Sequence, residues 1–182
     1  MSSAPPDPRL GTRHIRRVVF SQAALARRVE ELGAEITTAY PDGDLVLVGL
    51  LKGSLFFLAD LARAIHRPVW IDFLVASSYG REKVSAGEVQ VRYEPAIPLQ
   101  GRHILVVEDI IDSGRTLGAL LGRLRSAGPS SLAVCALLDK RLVPPPPELR
   151  FVGFAAPPDF LVGYGLDHAE DFRHLPYIAE VD

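Results

Sequence analysis

The stretch "VVEDIIDSGRTL", Val106–Leu117, decides how this chain is read. It opens inside an apolar run, Ile104-Leu105-Val106-Val107, that ends abruptly in Glu108-Asp109. Four aliphatic residues without alternation predict a strand covered on both faces, the habit of a parallel sheet. Two isoleucines follow, then a third acid, Asp112, then Ser113-Gly114-Arg115-Thr116. Residues 117–126, "LGALLGRLRS", predict a helix that stops at Ala127-Gly128-Pro129. The segment therefore runs strand, acidic edge, small-residue turn, helix, and ligands of such sheets sit at the carboxyl ends of the strands.

The same grammar extends outward. "LVLVGLL" at 45–51, "VWIDFLVA" at 69–76 and "SLAVCALL" at 131–138 predict further buried strands, and "VQVRY" at 89–93 alternates as an edge strand does. "LFFLADLARAI" after Lys52-Gly53-Ser54 predicts a helix. So does the segment after Ser21, an N-cap, where Leu25, Val29, Leu32 and Ile36 fall on one helical face. The polar segment 77–88 reads as a mobile loop, Pro144–Pro147 as a stiff connector, and short strands are expected at 150–154 and 160–163 before an irregular end. Strands alternating with helices predict an α/β fold, a mostly parallel twisted sheet flanked by helices. Residues 1–13, Pro-rich, read as a flexible N-terminal arm before a single domain over 14–182.

Composition narrows the function classes. A 182-residue chain that is 48% hydrophobic builds a sizeable core. Its net charge of −2 lacks the basic excess of a nucleic-acid binder. No apolar run approaches the ~18 residues of a membrane span, and the first 20 residues lack the apolar segment of a signal peptide. Cys135, inside an apolar run, reads as a buried reduced thiol, and a cytoplasmic protein is the expectation. Lysine is scarce: Lys52, Lys83 and Lys140 stand among 20 basic residues, so each marks a place where a compact ammonium is useful.

The acidic turn carries the chemistry. Adjacent carboxylates repel, so Glu108 and Asp109 call for hydroxyl donors or a shared cation, as the vicinal hydroxyls of a ribose or an oxygen-bound Mg²⁺ would supply. Ser113-Gly114-Arg115-Thr116 offers amides, hydroxyls and a helix N-terminus, a seat for a phosphate monoester. Neither a Walker A loop nor G-x-G-x-x-G occurs. Diol and phosphate together describe a ribose 5-phosphate. Asp112 can equally open the turn, Asp167 can cap a helix, Lys140 can be a solvated surface residue and Phe160 can be core.

"VVEDIIDSGRTL" resembles the phosphoribosyl pyrophosphate signature of type I phosphoribosyltransferases. Its Glu-Asp-x-x-Asp order is similar to the 6-oxopurine branch, the hypoxanthine-guanine phosphoribosyltransferases. "LLKGSLFFLADL", "SSYG", "LLDKR" and "PDFLVGYGLDHAEDFRHLPYI" resemble, in family order, the first active-site loop, the long mobile loop, the purine-specificity lysine segment and the C-terminal hood. The resemblance implies that fold, with a core over about 40–155 and a hood mainly over 156–182. It implies transfer of a 5-phosphoribosyl group from phosphoribosyl pyrophosphate to N9 of hypoxanthine or guanine, giving IMP or GMP and pyrophosphate.

It also assigns roles. Asp112 is the general base. Glu108 and Asp109 hold the ribose hydroxyls, directly or through Mg²⁺ and its waters, and Asp167 matches the hood acid associated with a second metal. Ser113, Gly114, Arg115 and Thr116 cradle the 5-phosphate. Lys52, Gly53 and Arg173 bind pyrophosphate, the peptide before Lys52 being cis, and Ser78 and Tyr79 belong to a lid. Lys140 reads the exocyclic oxygen of the purine, Phe160 and Ile110 flank the ring, and Leu161 offers backbone groups. A homodimer or homotetramer is implied, without nucleic-acid or membrane partners. The rival readings are a regulator of this fold that binds nucleotide and nucleic acid, and a transferase preferring xanthine.

Overall fold

The computed structural model describes residues 7–78, 89–112 and 114–181. In chain order the elements are β1 (Arg17–Phe20), α1 (Gln22–Ala39), β2 (Leu45–Leu51), α2 (Leu55–Ala64), β3 (Trp70–Ser78), β4 (Val89–Tyr93), β5 (His103–Ile111), α3 (Arg115–Ser126), β6 (Ser131–Asp139), β7 (Leu149–Ala155), β8 (Leu161–Val162) and β9 (Ile178–Glu180). Six strands form one sheet in the order β4-β3-β2-β5-β6-β7. All its pairings are parallel except the β3–β4 edge.

Strand alternation sorts the core into two layers. Leu45 and Leu47 of β2, with Leu105 and Val107 of β5, face α1 and α2 and pack on Leu25, Val29, Leu32, Ile36, Phe57 and Leu61. Val46, Val48, Ile104 and Val106 face the other way, onto Leu117, Leu120, Leu121 and Leu124 of α3. Both faces are covered, which is why these strands carry unbroken apolar runs. Each fully buried aliphatic side chain contributes about 1.5–3 kcal/mol relative to exposure. Ser21 caps α1 as expected, its Oγ accepting from Ala24 N.

A second, three-stranded sheet, β1-β9-β8, builds the hood. Val162, Phe172, Leu175, Ala179 and Val181 form its small core, with Leu10 and Ile15 packed against it. Its buried anchor is Glu180, 2% exposed, paired with Arg16 and Arg17 on β1.

Several boundaries differ from the sequence expectation. β1 and β9 were not foreseen, because strands of four and three residues carry no measurable periodicity. From Asp7 the expected flexible arm is docked: Pro8–Leu10 make a 3-10 turn, and the Asp7 carboxylate accepts from Tyr177 Oη at 3.0 Å. The expected loop 77–88 begins later, since Ser77 and Ser78 pair with Gln90 and Val89. Residues 79–88 lie outside the described residues, and with them Tyr79 and the expected lid. β5 runs on to Ile111 and α3 starts at Arg115, so the turn between them is shorter than the sequence suggests.

Candidate active site

β5 delivers the acids. Its residues are buried from Ile104 to Val107, and Glu108, Asp109 and Ile110 then emerge partly exposed at the carboxyl edge. Strand alternation turns neighbouring side chains to opposite faces, yet the charge of Asp109 still reaches Glu108. Burial raises the proton affinity of Glu108 well above the usual carboxylate range, and the charge of Asp109 adds to it. Burial likewise pushes Asp109 up to about 6, against hydrogen bonds from the Ile110 and Asp109 amides and the charge of Arg173, while Asp167 adds to the rise. Among the described residues Glu108 Oε2 is fully shielded without a hydrogen-bond partner. A shielded, unpaired carboxylate oxygen is costly, so this edge is incomplete without a donor or a cation.

The loop at Lys52–Ser54 closes on Asp109. The Leu51–Lys52 peptide is cis, as expected. Gly53 lies against Asp109 so tightly that a Cβ built there would stand 1.7 Å from Oδ2. The hood then lies on the loop: a Cβ on Gly165 would stand 1.9 Å from Gly53 O. Tyr164, between Gly163 and Gly165, donates to Asp60 Oδ2 on α2 at 2.5 Å. Neither Asp60 nor Tyr164 was singled out from sequence; a Tyr between two glycines was the available signal, and its partner 104 residues away gave none.

Beyond Gly165, Arg173 donates to Gly165 O at 2.7 Å and pairs with Asp167 Oδ1 at 2.7 Å. Its Nε is buried and without a partner among the described residues. Asp167 Oδ2 also accepts from Glu170 N at 2.9 Å, so it caps a turn, and no helix follows it. Among the described residues no three His, Cys, Asp or Glu side chains cluster as metal ligands. Asp167 stands on the hood, apart from the strand that carries Glu108 and Asp109. The β5 pair is the part that fits a cation: two adjacent carboxylates of raised proton affinity and one oxygen without a partner among the described residues are the donor set a hard dication relieves.

Two small cavities, about 150 and 160 Å³, share Glu108 and Thr116. One also takes in Ile110, Asp112 and Gly114, and the other Leu51, Gly53 and Asp109. Gly114 adopts φ 67° at the head of α3, and it lines the first of these cavities together with Thr116 of the first helical turn. Ser113 lies outside the described residues, Arg115 opens α3, and Ser78 ends β3.

A further group of the expected residues is built from β6 and the hood. Lys140 follows β6, its side chain only 10% exposed, with Nζ 3.5 Å from Asp112 Oδ2. A lysine so withdrawn is no solvated surface residue. Asp112 itself is 57% exposed. Phe160 is 53% exposed, not core, and its ring meets His168 edge-on at 5.3 Å. Leu161 is buried on β8 and Ile110 packs against the α1–α2 core.

This arrangement can be set beside known proteins. The family described as phosphoribosyl transferase domain matches residues 19–168. The chain is 44% identical over 174 residues to hypoxanthine phosphoribosyltransferase of Salmonella typhimurium, covering 93% of this chain and 97% of the relative. It is 44% identical over 172 residues to hypoxanthine-guanine phosphoribosyltransferase of Bacillus subtilis, covering 91% and 92%. Among solved structures, a hypoxanthine phosphoribosyltransferase of Staphylococcus aureus superposes with a TM-score of 0.87 at 37% identity, covering 92% of each chain. A hypoxanthine-guanine phosphoribosyltransferase of Bacillus anthracis gives 0.86 at 40% identity, covering 93% of this chain and all of the other.

Proposed function

The chain belongs to the phosphoribosyl transferase family, and from that premise we propose how its residues divide the reaction of a purine-salvage enzyme. The enzyme moves a 5-phosphoribosyl group from phosphoribosyl pyrophosphate to N9 of hypoxanthine or guanine, releasing pyrophosphate. Breaking the ribose–pyrophosphate bond builds positive charge on the ribose carbon and negative charge on the leaving group. The protein must favour both at once.

Glu108 and Asp109 hold the ribose hydroxyls, and their negative charge favours the developing cation. The Gly114–Thr116 turn, with the first amides of α3, takes the 5-phosphate. Lys52 and Arg173 take the pyrophosphate, and the unpaired Arg173 Nε supports that assignment. Mg²⁺, when bound by Glu108 and Asp109, with Asp167 available from the hood, supplies Lewis-acid neutralisation of the leaving group. Asp112, beside Lys140, accepts the proton that the purine loses. Lys140 carries three donors and no acceptor, so it pairs with an exocyclic oxygen and rejects an amino group. Phe160 and Ile110 flank the ring.

The single observation that carries this reading is the withdrawal of Lys140 to 3.5 Å from Asp112 at the same sheet edge as the Glu108–Asp109 pair. It supports a reading in which base recognition, proton transfer and ribose binding share the ends of the adjacent strands β5 and β6. A panel of hypoxanthine, guanine, xanthine and adenine with phosphoribosyl pyrophosphate and Mg²⁺ tests it. Nucleotide is expected from the first two. No nucleotide, or adenine used as well as hypoxanthine, refutes the assignment, and a preference for xanthine keeps the chemistry but changes the substrate.

We place the activity in the cytoplasm. Among the described residues no helix is long and apolar enough to cross a membrane. We also propose a homodimer or homotetramer, because Leu55, Phe56, Trp70 and Ile71 leave apolar surface exposed. Sedimentation at micromolar concentration tests it, and a monomer refutes it.

A further inference from the structure

Glu170 is a hood acid that the phosphoribosyl-transfer reading leaves without a role. Its Oε2 lies 2.8 Å from Lys52 Nζ and 3.5 Å from the Arg173 guanidinium. Those are the two cations assigned above to pyrophosphate, and they come from separate segments, the first active-site loop and the hood. A carboxylate that bridges an ammonium and a guanidinium offers them the same charge and the same kind of acceptor as a phosphoryl oxygen does.

The placement of Glu170 is held by its backbone. Ala169 and Glu170 both take left-handed conformations, φ 52° and φ 67°, which non-glycine residues seldom adopt. The Glu170 amide donates to Asp167 Oδ2 at 2.9 Å, and Asp167 is in turn paired to Arg173. The turn therefore aims the Glu170 side chain back at Lys52. Both side chains of that pair are about two-thirds exposed, so the contact stands in solvent and can open. An exposed ion pair is weak and screened, which suits a contact that yields to a multiply charged ligand.

We infer that Glu170 is an intramolecular anion that competes with the pyrophosphate group for the Lys52–Arg173 cation pair, and so sets the affinity for phosphoribosyl pyrophosphate and pyrophosphate. The inference rests on the assignment of those two cations to pyrophosphate. Its signature is a sign opposite to ordinary damage: removing the Glu170 charge tightens binding.

The test is calorimetric titration of pyrophosphate, in magnesium chloride, into the full chain as wild type, Glu170→Gln and Arg173→Lys, at low and at high salt. Glu170→Gln keeps the backbone hydrogen bond to Asp167, and Glu170→Ala serves as a second variant should the amide disturb the turn. Either Glu170 variant is expected to bind pyrophosphate about two- to fivefold more tightly, the gain an exposed ion pair allows, with the gap closing at high salt. Arg173→Lys is expected to bind more weakly. Unchanged or weaker binding in both Glu170 variants, with Arg173→Lys weakened, overturns the inference and leaves the pyrophosphate assignment standing. No change in any variant overturns both.

Discussion

Substituting Gly53 by Ala isolates the closeness of the first active-site loop to the acidic strand end. A Cβ at position 53 would sit 1.7 Å from Asp109 Oδ2 and 2.5 Å from its Cγ. A tolerable contact begins near 3.0 Å, so loop or carboxylate must move by about 1.3 Å. The carboxylate is held on its other side by the Ile110 amide, which donates to Oδ1 at 2.9 Å. Gly165 closes the alternative route, since it lies so near Gly53 O that an added Cβ would stand 1.9 Å from it. Forcing one methyl into such a packed site costs about 1–3 kcal/mol, and a misplacement near 1 Å at a reacting centre costs on the order of 100-fold in rate. The expected outcome is a folded Gly53→Ala variant, melting roughly 2–12 °C below wild type, with kcat/KM reduced about 100-fold. Thermal unfolding and steady-state kinetics with hypoxanthine measure the two effects. Gly118→Ala is the control, because a Cβ there meets nothing within 4 Å and alanine favours the helix. A Gly53→Ala variant within threefold of wild type in kcat/KM refutes the claim that Asp109 must stay where Gly53 puts it.

Three further outcomes are expected. Asp112→Asn should fold normally and lose about 10²–10⁴-fold in kcat, and turnover within threefold of wild type would remove Asp112 as the base. Tyr164→Phe deletes the hydrogen bond to Asp60 that ties hood to α2. It should cost about 1–2 kcal/mol and lower Tm by roughly 2–8 °C, and an unchanged Tm would show that the hood does not depend on this tie. The Arg17 and Arg16 guanidiniums hold the Glu180 carboxyl below the usual carboxylate range. Its stabilisation is therefore present above the unfolded-state value of about 4.3 and is lost as pH falls through the lowered one. The Tm gap between wild type and Glu180→Gln should shrink between about pH 5 and pH 3; a gap that holds constant or widens there contradicts the pairing.

The parts of the site that share one local segment were legible in the sequence. The end of β5, the turn and α3 follow one another within fifteen residues or so, and buried runs, breakers and helical spacing are properties of neighbours along the chain. Lys140 could be noticed because lysine is rare here, and Asp167 and Arg173 because the hood segment resembles a family. Asp60, Tyr164 and Glu170 were not legible in these roles. A Tyr, an Asp and a Glu of ordinary kind acquire them only from the side chains that face them.

The sequence by itself determined the strand–turn–helix grammar, the two-sided burial of the sheet and the run of acids at the end of β5, because these depend on residue type at short range. Tertiary structure decided the rest. It paired β1 with β9, residues more than 150 positions apart, to make the hood. It laid Gly53 on Asp109 and Gly165 on Gly53, and it set Glu170 against Lys52. Such contacts are selected by the packing of whole layers, where backbone approach and charge pairing are settled only when every segment is in place.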